Sequence, residues 1–148
     1  MKQVITMHGW AGDASHWAHW QRAFAASGWL WSNAERDYGG GNPVQPSWQP
    51  EANRRVLICH SLGFHLVDAT TLEAATDLVL LASFSRFVPE GAAGRALRTG
   101  LRGMARQIGT SAEQTMLKQF LERVAAPLPM RALPGSLLRQ SLSNPGRD

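Results

Sequence analysis

Apolar residues recur along this chain in two rhythms, and the switches between them mark the elements. Lys2 to Met7 alternates enough for a short strand, and His8-Gly9-Trp10-Ala11-Gly12-Asp13 supplies the glycines of a tight turn after it. From Ala14 to Ala26, Trp17, Trp20 and Phe24 recur with small alanines at helical spacing, and Gly28 stands where a left-handed cap ends such a helix. Trp29 to Asn33 is a weak second strand. Tyr38 to Pro50 carries three consecutive glycines and three prolines and reads as an irregular connection. Arg55-Val56-Leu57-Ile58-Cys59 is a buried-strand pattern that runs into His60-Ser61-Leu62-Gly63 and an apolar helical segment through Thr71. Asp77 to Leu81 is a further short strand. Strands alternating with helices predict the α/β class, a parallel sheet covered by helices.

After Ser85 the pattern turns wholly helical. Pro89 to Ile108 and Ser111 to Ala125 predict two helices with no strand between them. In the first, Leu97, Leu101, Met104 and Ile108 form an apolar stripe, while Arg95, Arg98, Arg102 and Arg106 form a basic stripe roughly opposite. The second has the signature of a capping box, Ser111 followed by Gln114, and an apolar face of Met116, Leu117, Phe120, Leu121 and Val124. Prolines and glycines return beyond Pro127, and Ser143-Asn144-Pro145-Gly146 is turn chemistry. The expected organisation is a sheet-bearing part over 1–85, a helical cap over 86–126 and an irregular tail over 127–148.

Composition narrows the function classes. The chain has 148 residues, 44% of them hydrophobic and 18% charged, which suits one folded domain and argues against disorder. Its longest apolar runs, Val56 to Cys59 and Leu78 to Ala82, fall far short of the ~20 residues that a membrane helix needs, so no membrane span is expected. Polar Gln3, Thr6 and His8 interrupt any signal-peptide pattern, and a lone Cys59 allows no internal disulfide, so a cytoplasmic location is expected. Residues 1–85 carry five basic and seven acidic side chains, and 86–148 carry ten and four, giving −2 and +6. No nucleic-acid-binding motif accompanies the basic part, so an acidic protein or a small anion is the expected partner.

The strongest chemical signal is Cys59-His60-Ser61-Leu62-Gly63, a G-x-S-x-G pattern with cysteine in the first glycine position. A serine at an abrupt strand-to-helix turn is held in a strained conformation with its hydroxyl exposed, and small flanking residues let strand and helix close together. The Leu62 amide at the helix start then points at the site as an oxyanion donor, and the Trp10 amide in the first turn is the natural second donor.

Met7-His8-Gly9-Trp10 with Trp17, the elbow His60-Ser61-Leu62-Gly63, and Leu81-Ala82-Ser83 before a helical cap together resemble the α/β-hydrolases. Within that superfamily the chain resembles, along nearly its whole length, the pimeloyl-acyl-carrier-protein methyl ester carboxylesterases of biotin synthesis; the first motifs are specific for the superfamily, and the assignment to this esterase rests on weaker similarity around Gln114 to Val124. The resemblance implies a partial α/β-hydrolase fold with a helical cap, Ser61 as nucleophile, and Trp10 and Leu62 as oxyanion amides. It also implies that the basic cap, with Arg95, Arg98, Arg102 and Arg106, faces an acidic acyl-carrier protein. No cofactor and no metal are implied. A general esterase, thioesterase or lipase-like hydrolase, or a non-catalytic remnant that binds an acidic partner, stays open beside it.

The chain departs from the family pattern in the partners of the serine, since the family's acid and histidine follow later strands. Here the histidines are His8, His16, His19, His60 and His65, and the acids after Ser85 are Glu90, Glu113, Glu122 and Asp148, none in a strand-then-loop setting. The expectation is a hydrolase truncated before its acid and base, with little or no activity. His60 and His8 are the local candidates for a substitute base. Asp13, His16 and His19 are a metal candidate because the two histidines three apart share a helix face, but they read as a polar helix start, because no further metal ligand accompanies them. Cys59 reads as an inert strand thiol, Gly39-Gly40-Gly41-Asn42 as a connector, and the arginine stripe equally as a solvated helix face.

Overall fold

The computed structural model describes residues 1–133. The turn expected at Ser143 to Gly146 and the carboxylate of Asp148 lie outside them. Four strands form one parallel sheet in the order β2-β1-β3-β4, with β1 at Lys2–Met7, β2 at Leu30–Ala34, β3 at Arg54–His60 and β4 at Asp77–Leu81. β1 pairs with β3 so that Met7 lies opposite Cys59, and with β2 so that Met7 lies opposite Ala34. The α/β architecture expected from the alternating pattern is therefore present.

Strand alternation divides the core into two faces. Ile5, Met7, Leu57 and Cys59 point to one side and pack with Phe64, Leu66, Val67 and Leu72. Val4, Val56 and Ile58 point to the other and pack with Trp17, Phe24, Trp29 and Trp31. Burying one such side chain fully, as for Ile5 or Leu57, contributes about 1.5–3 kcal/mol. Gln3 lies in the same buried strand, and its amide is satisfied. Its Nε2 donates to Ser32 Oγ and to the Ser47 carbonyl, and its Oε1 accepts from the Gln49 amide at 2.7 Å. That side chain ties the irregular 38–50 connection to the sheet.

Two helical expectations are corrected in the sheet-bearing part. The segment from Ala14 begins as a 3₁₀ turn, Ala14–Trp17, and becomes helix α1 only at Ala18–Ala26. Asp13 organises that start by accepting from the Ser15 amide at 2.7 Å, and Gly28 takes the left-handed conformation expected of it, at φ 73°. The elbow helix expected to reach Thr71 is broken into a 3₁₀ turn, Ser61–His65, and a short helix α2, Ala69–Glu73. Asp68 is extended between them, so the ladder restarts there.

In the cap, a 3₁₀ turn at Gly91–Gly94 leads into α3, Arg95–Ala105, and α4 spans Glu113–Ala125. The N-cap of α4 is Ala112, whose side chain makes no cap bond, and not the expected Ser111. Thr110 Oγ1 accepts from the Ala112 amide at 3.2 Å, and Glu113 Oε2 accepts from the Gly109 amide at 2.6 Å, so both bonds brace the turn that leads into α4. Met116 and Leu117 of α4 pack with Ala11 and Tyr38, with Trp10, Met104 and Ile108 around them. The cap thus rests on the turn that follows β1. No helix among the described residues is long and apolar enough to cross a membrane.

Candidate active site

The sheet topology selects the place. β1 lies between β2 and β3, so the chain leaves β1 toward one side of the sheet and later returns to its other side. In open parallel sheets, a crevice forms at the carboxyl ends of the strands where the order reverses. Here the two segments that leave that crevice are His8–Asp13 after β1 and Ser61 onward after β3.

Ser61 directly follows β3 with φ 53°, in the left-handed region, while His60 before it is still extended at φ −108°. A non-glycine residue held there costs on the order of 1–3 kcal/mol, which surrounding contacts must offset. Three contacts hold the bend. Ser83 Oγ donates to the Ser61 carbonyl at 2.8 Å. A β-carbon on Gly63 would come within 2.6 Å of the Met7 carbonyl oxygen and 2.7 Å of that of His8, so only glycine lets the elbow close onto β1. A β-carbon on Gly9 would lie 3.0 Å from Ser61 Cβ and 3.2 Å from His60 Nδ1. The turn after β1 is therefore seated directly on the elbow, and the next residues in each segment are Trp10 and Leu62.

The Trp10 ring is half-buried and meets Phe120 of α4 edge-on at 5.0 Å, which links the cap to this turn. Cys59, in the position of the first glycine of the pattern, is buried in β3, and burial pushes its thiol up to about 12, so it stays protonated and inert at neutral pH.

Sequence reasoning missed Glu35. It follows β2, one step past the Met7–Ala34 pair, and so stands beside His8 at the same end of the sheet. His8 is fully buried, its Nε2 lies 2.7 Å from Glu35 Oε1, and its Nδ1 lies 2.9 Å from the Gly9 carbonyl oxygen. Burial acts to raise the Glu35 carboxyl. The His8 hydrogen bond and charge and the Ala14 and Asp37 amides outweigh it and bring the carboxyl down to about 2. The only sequence signal was positional, and it became readable once the pairing of β1 with β2 was known.

The other histidines sort by their surroundings. His65 Nε2 is 2.8 Å from the Phe84 carbonyl oxygen, and its ring stacks on Phe84. Burial, with His16 and His8 nearby, lowers the pKa of His60. Burial also lowers that of His16, opposed by Asp13. Among the described residues, no histidine hydrogen-bonds the Ser61 hydroxyl, and no group of three or more His, Cys, Asp or Glu side chains could hold a metal ion. Asp13 spends its carboxylate on the cap of the 3₁₀ turn, and His19 is exposed.

In the basic stripe, Arg98 turns inward. Its guanidinium donates to the Pro89 and Gly91 carbonyls and holds the start of the cap, whereas Arg95, Arg102 and Arg106 are exposed. Comparison of the chain with protein-family models, curated proteins and solved structures finds no match.

Proposed function

We propose that Ser61 is the nucleophile of a carboxylic ester hydrolase of the α/β-hydrolase type. The observation that carries this reading is the left-handed backbone of Ser61 at the end of β3, with Gly9 packed against its β-carbon. In the proposed reaction, Ser61 Oγ attacks the ester carbonyl carbon and gives its proton to solvent water. The resulting oxyanion accepts from the Trp10 and Leu62 amides. The bond to the alcohol then breaks as the leaving oxygen takes a proton from solvent, and a water molecule adds to the acyl carbon, releasing the free acid and restoring the proton on Ser61 Oγ. The reaction uses no cofactor.

The favoured substrate is an ester carried on an acidic acyl-carrier protein, as in the biotin-synthesis esterases the sequence resembles. The exposed guanidinium groups of Arg95, Arg102 and Arg106 on α3 suit such a partner, and Arg98 would act by shaping the cap. Esters or thioesters of other small acids fit the same chemistry.

A second reading, binding of an acidic partner without turnover, draws on the lack of a histidine on the Ser61 hydroxyl among the described residues. His8 turns its two ring nitrogens to Glu35 and to the Gly9 carbonyl rather than to the Ser61 hydroxyl. A fluorophosphonate probe separates the readings, because it phosphonylates an activated serine and expels fluoride. The expected result is slow labelling of the chain that Ser61→Ala abolishes. Labelling that is absent, or that persists in Ser61→Ala, favours the second reading.

A further inference from the structure

We propose that Glu35 is the positioning residue of the turn that carries Trp10, stapling both ends of residues 8–14 with the two oxygens of one carboxylate. The inference rests on the reading of Ser61 as nucleophile, because it assigns to Glu35 the task of holding the second oxyanion donor in place.

At the entry to the turn, Glu35 Oε1 accepts from His8 Nε2 at 2.7 Å, and the His8 ring reaches the Gly9 carbonyl through Nδ1. At the exit, Glu35 Oε2 accepts from the Ala14 amide at 3.0 Å. The carboxylate is itself fixed by the chain behind it, since Oε1 also accepts from the Arg36 amide at 2.9 Å and the Asp37 amide at 3.2 Å. A bond from the Glu35 amide to the Val44 carbonyl, matched by one in the reverse direction, anchors the Glu35 backbone.

Between the stapled ends the turn needs support. Ala11 sits at φ 58°, a conformation that costs energy in a residue with a β-carbon, and within the turn the backbone closes through the Gly12 amide on the Gly9 carbonyl. The same Gly9 carbonyl receives the His8 ring, so the staple and the turn share an acceptor at the residue that touches Ser61. Tyr38 meets the His8 ring edge-on at 5.8 Å and is itself buried, which stops the ring from swinging away.

An ionised carboxylate offers two acceptor oxygens, whereas an amide offers one and presents a donor in place of the other. Glu35→Gln therefore keeps the shape and releases one end of the turn. Three measurements on the full chain test the assignment: native-state amide exchange, the downfield resonance of the His8 Nε2 proton, and the rate of fluorophosphonate labelling at Ser61. In Glu35→Gln, exchange at residues 9–14 is expected to rise about tenfold or more while β1 and β3 keep their protection. The His8 ring-proton resonance should move upfield or vanish, and labelling should slow by about 10²-fold, the usual cost of losing one oxyanion donor.

Unchanged exchange in the turn overturns the proposal, and so does loss of protection spread evenly over β1 and β3, which marks Glu35 as a stabiliser of the whole sheet. If the native chain is not labelled at Ser61, the esterase reading fails, while exchange and the His8 proton still decide whether the staple exists.

Discussion

β3 and β4 are adjacent parallel strands built from nearly the same residues, yet one is sealed and the other is open. In Val56-Leu57-Ile58-Cys59 the exposure runs from 0 to 7%, whereas Leu78, Val79 and Leu80 are exposed at 44, 36 and 47%. Since successive strand residues face opposite sides, β4 is uncovered on both faces, and on its outer side no strand pairs with it among the described residues. The comparison teaches that an apolar run specifies a strand but does not specify its cover. What seals β3 is supplied from elsewhere: Trp17 and Phe24 on one side, and Phe64, Leu66 and Leu72 on the other.

The difference should be largest in stability. Leu57→Ala is expected to cost about 2–5 kcal/mol in urea unfolding, because it leaves a cavity between packed layers. Leu80→Ala, at an open edge, should cost less than about 1 kcal/mol. Equal losses would break the comparison.

A second contrast sets two glycines against each other. Gly63→Ala pushes a β-carbon into backbone oxygens of β1 and is expected to destabilise by about 1–3 kcal/mol or more. Gly100→Ala in α3 meets nothing within 4 Å and should stabilise by about 0.5–1 kcal/mol through helix propensity. Melting temperatures of the two variants should shift in opposite directions.

A third follows from Glu35. Its folded-state pKa of about 2 lies below the ordinary carboxyl value of 4.5, so its contribution is present above that ordinary value. It is lost as pH falls from about 4.5 to about 2. Partial solvent access discounts the effect to about 1–2 kcal/mol. Stability measured across this window should fall less steeply in Glu35→Gln than in the native chain, and equal slopes would contradict the assigned pKa.

The smallest effect concerns the cap. If α3 recognises an acidic carrier protein, Arg102→Glu should weaken binding and steepen less with salt, by about 1 kcal/mol at low ionic strength. An affinity indifferent to charge reversal and to salt would remove that partner.

The parts legible in the sequence are those that local chemistry dictates. β1, β3 and β4 were readable from short apolar runs, and the elbow from a serine flanked by small residues at the end of one of them. Gly28 was readable as a helix stop because few residues tolerate its backbone. What escaped depends on spatial neighbours. Glu35 looked like one more polar residue after a weak strand, and only the register of β2 against β1 brings it to His8. The start of α4 was misplaced because Ser111 with Gln114 three residues on matches a capping box, whereas the helix begins at Glu113 after Ala112, whose side chain cannot cap. Arg98 belonged to a clean basic stripe, and its inward turn depends on the bend at Gly91–Gly94.

Ser61→Gly tests the central claim most directly, because it separates a strained, presented serine from an ordinary helix start. With φ at 53°, replacement by glycine should raise unfolding stability by about 1 kcal/mol while abolishing fluorophosphonate labelling. Loss of stability on this substitution, or labelling that survives it, would contradict the account.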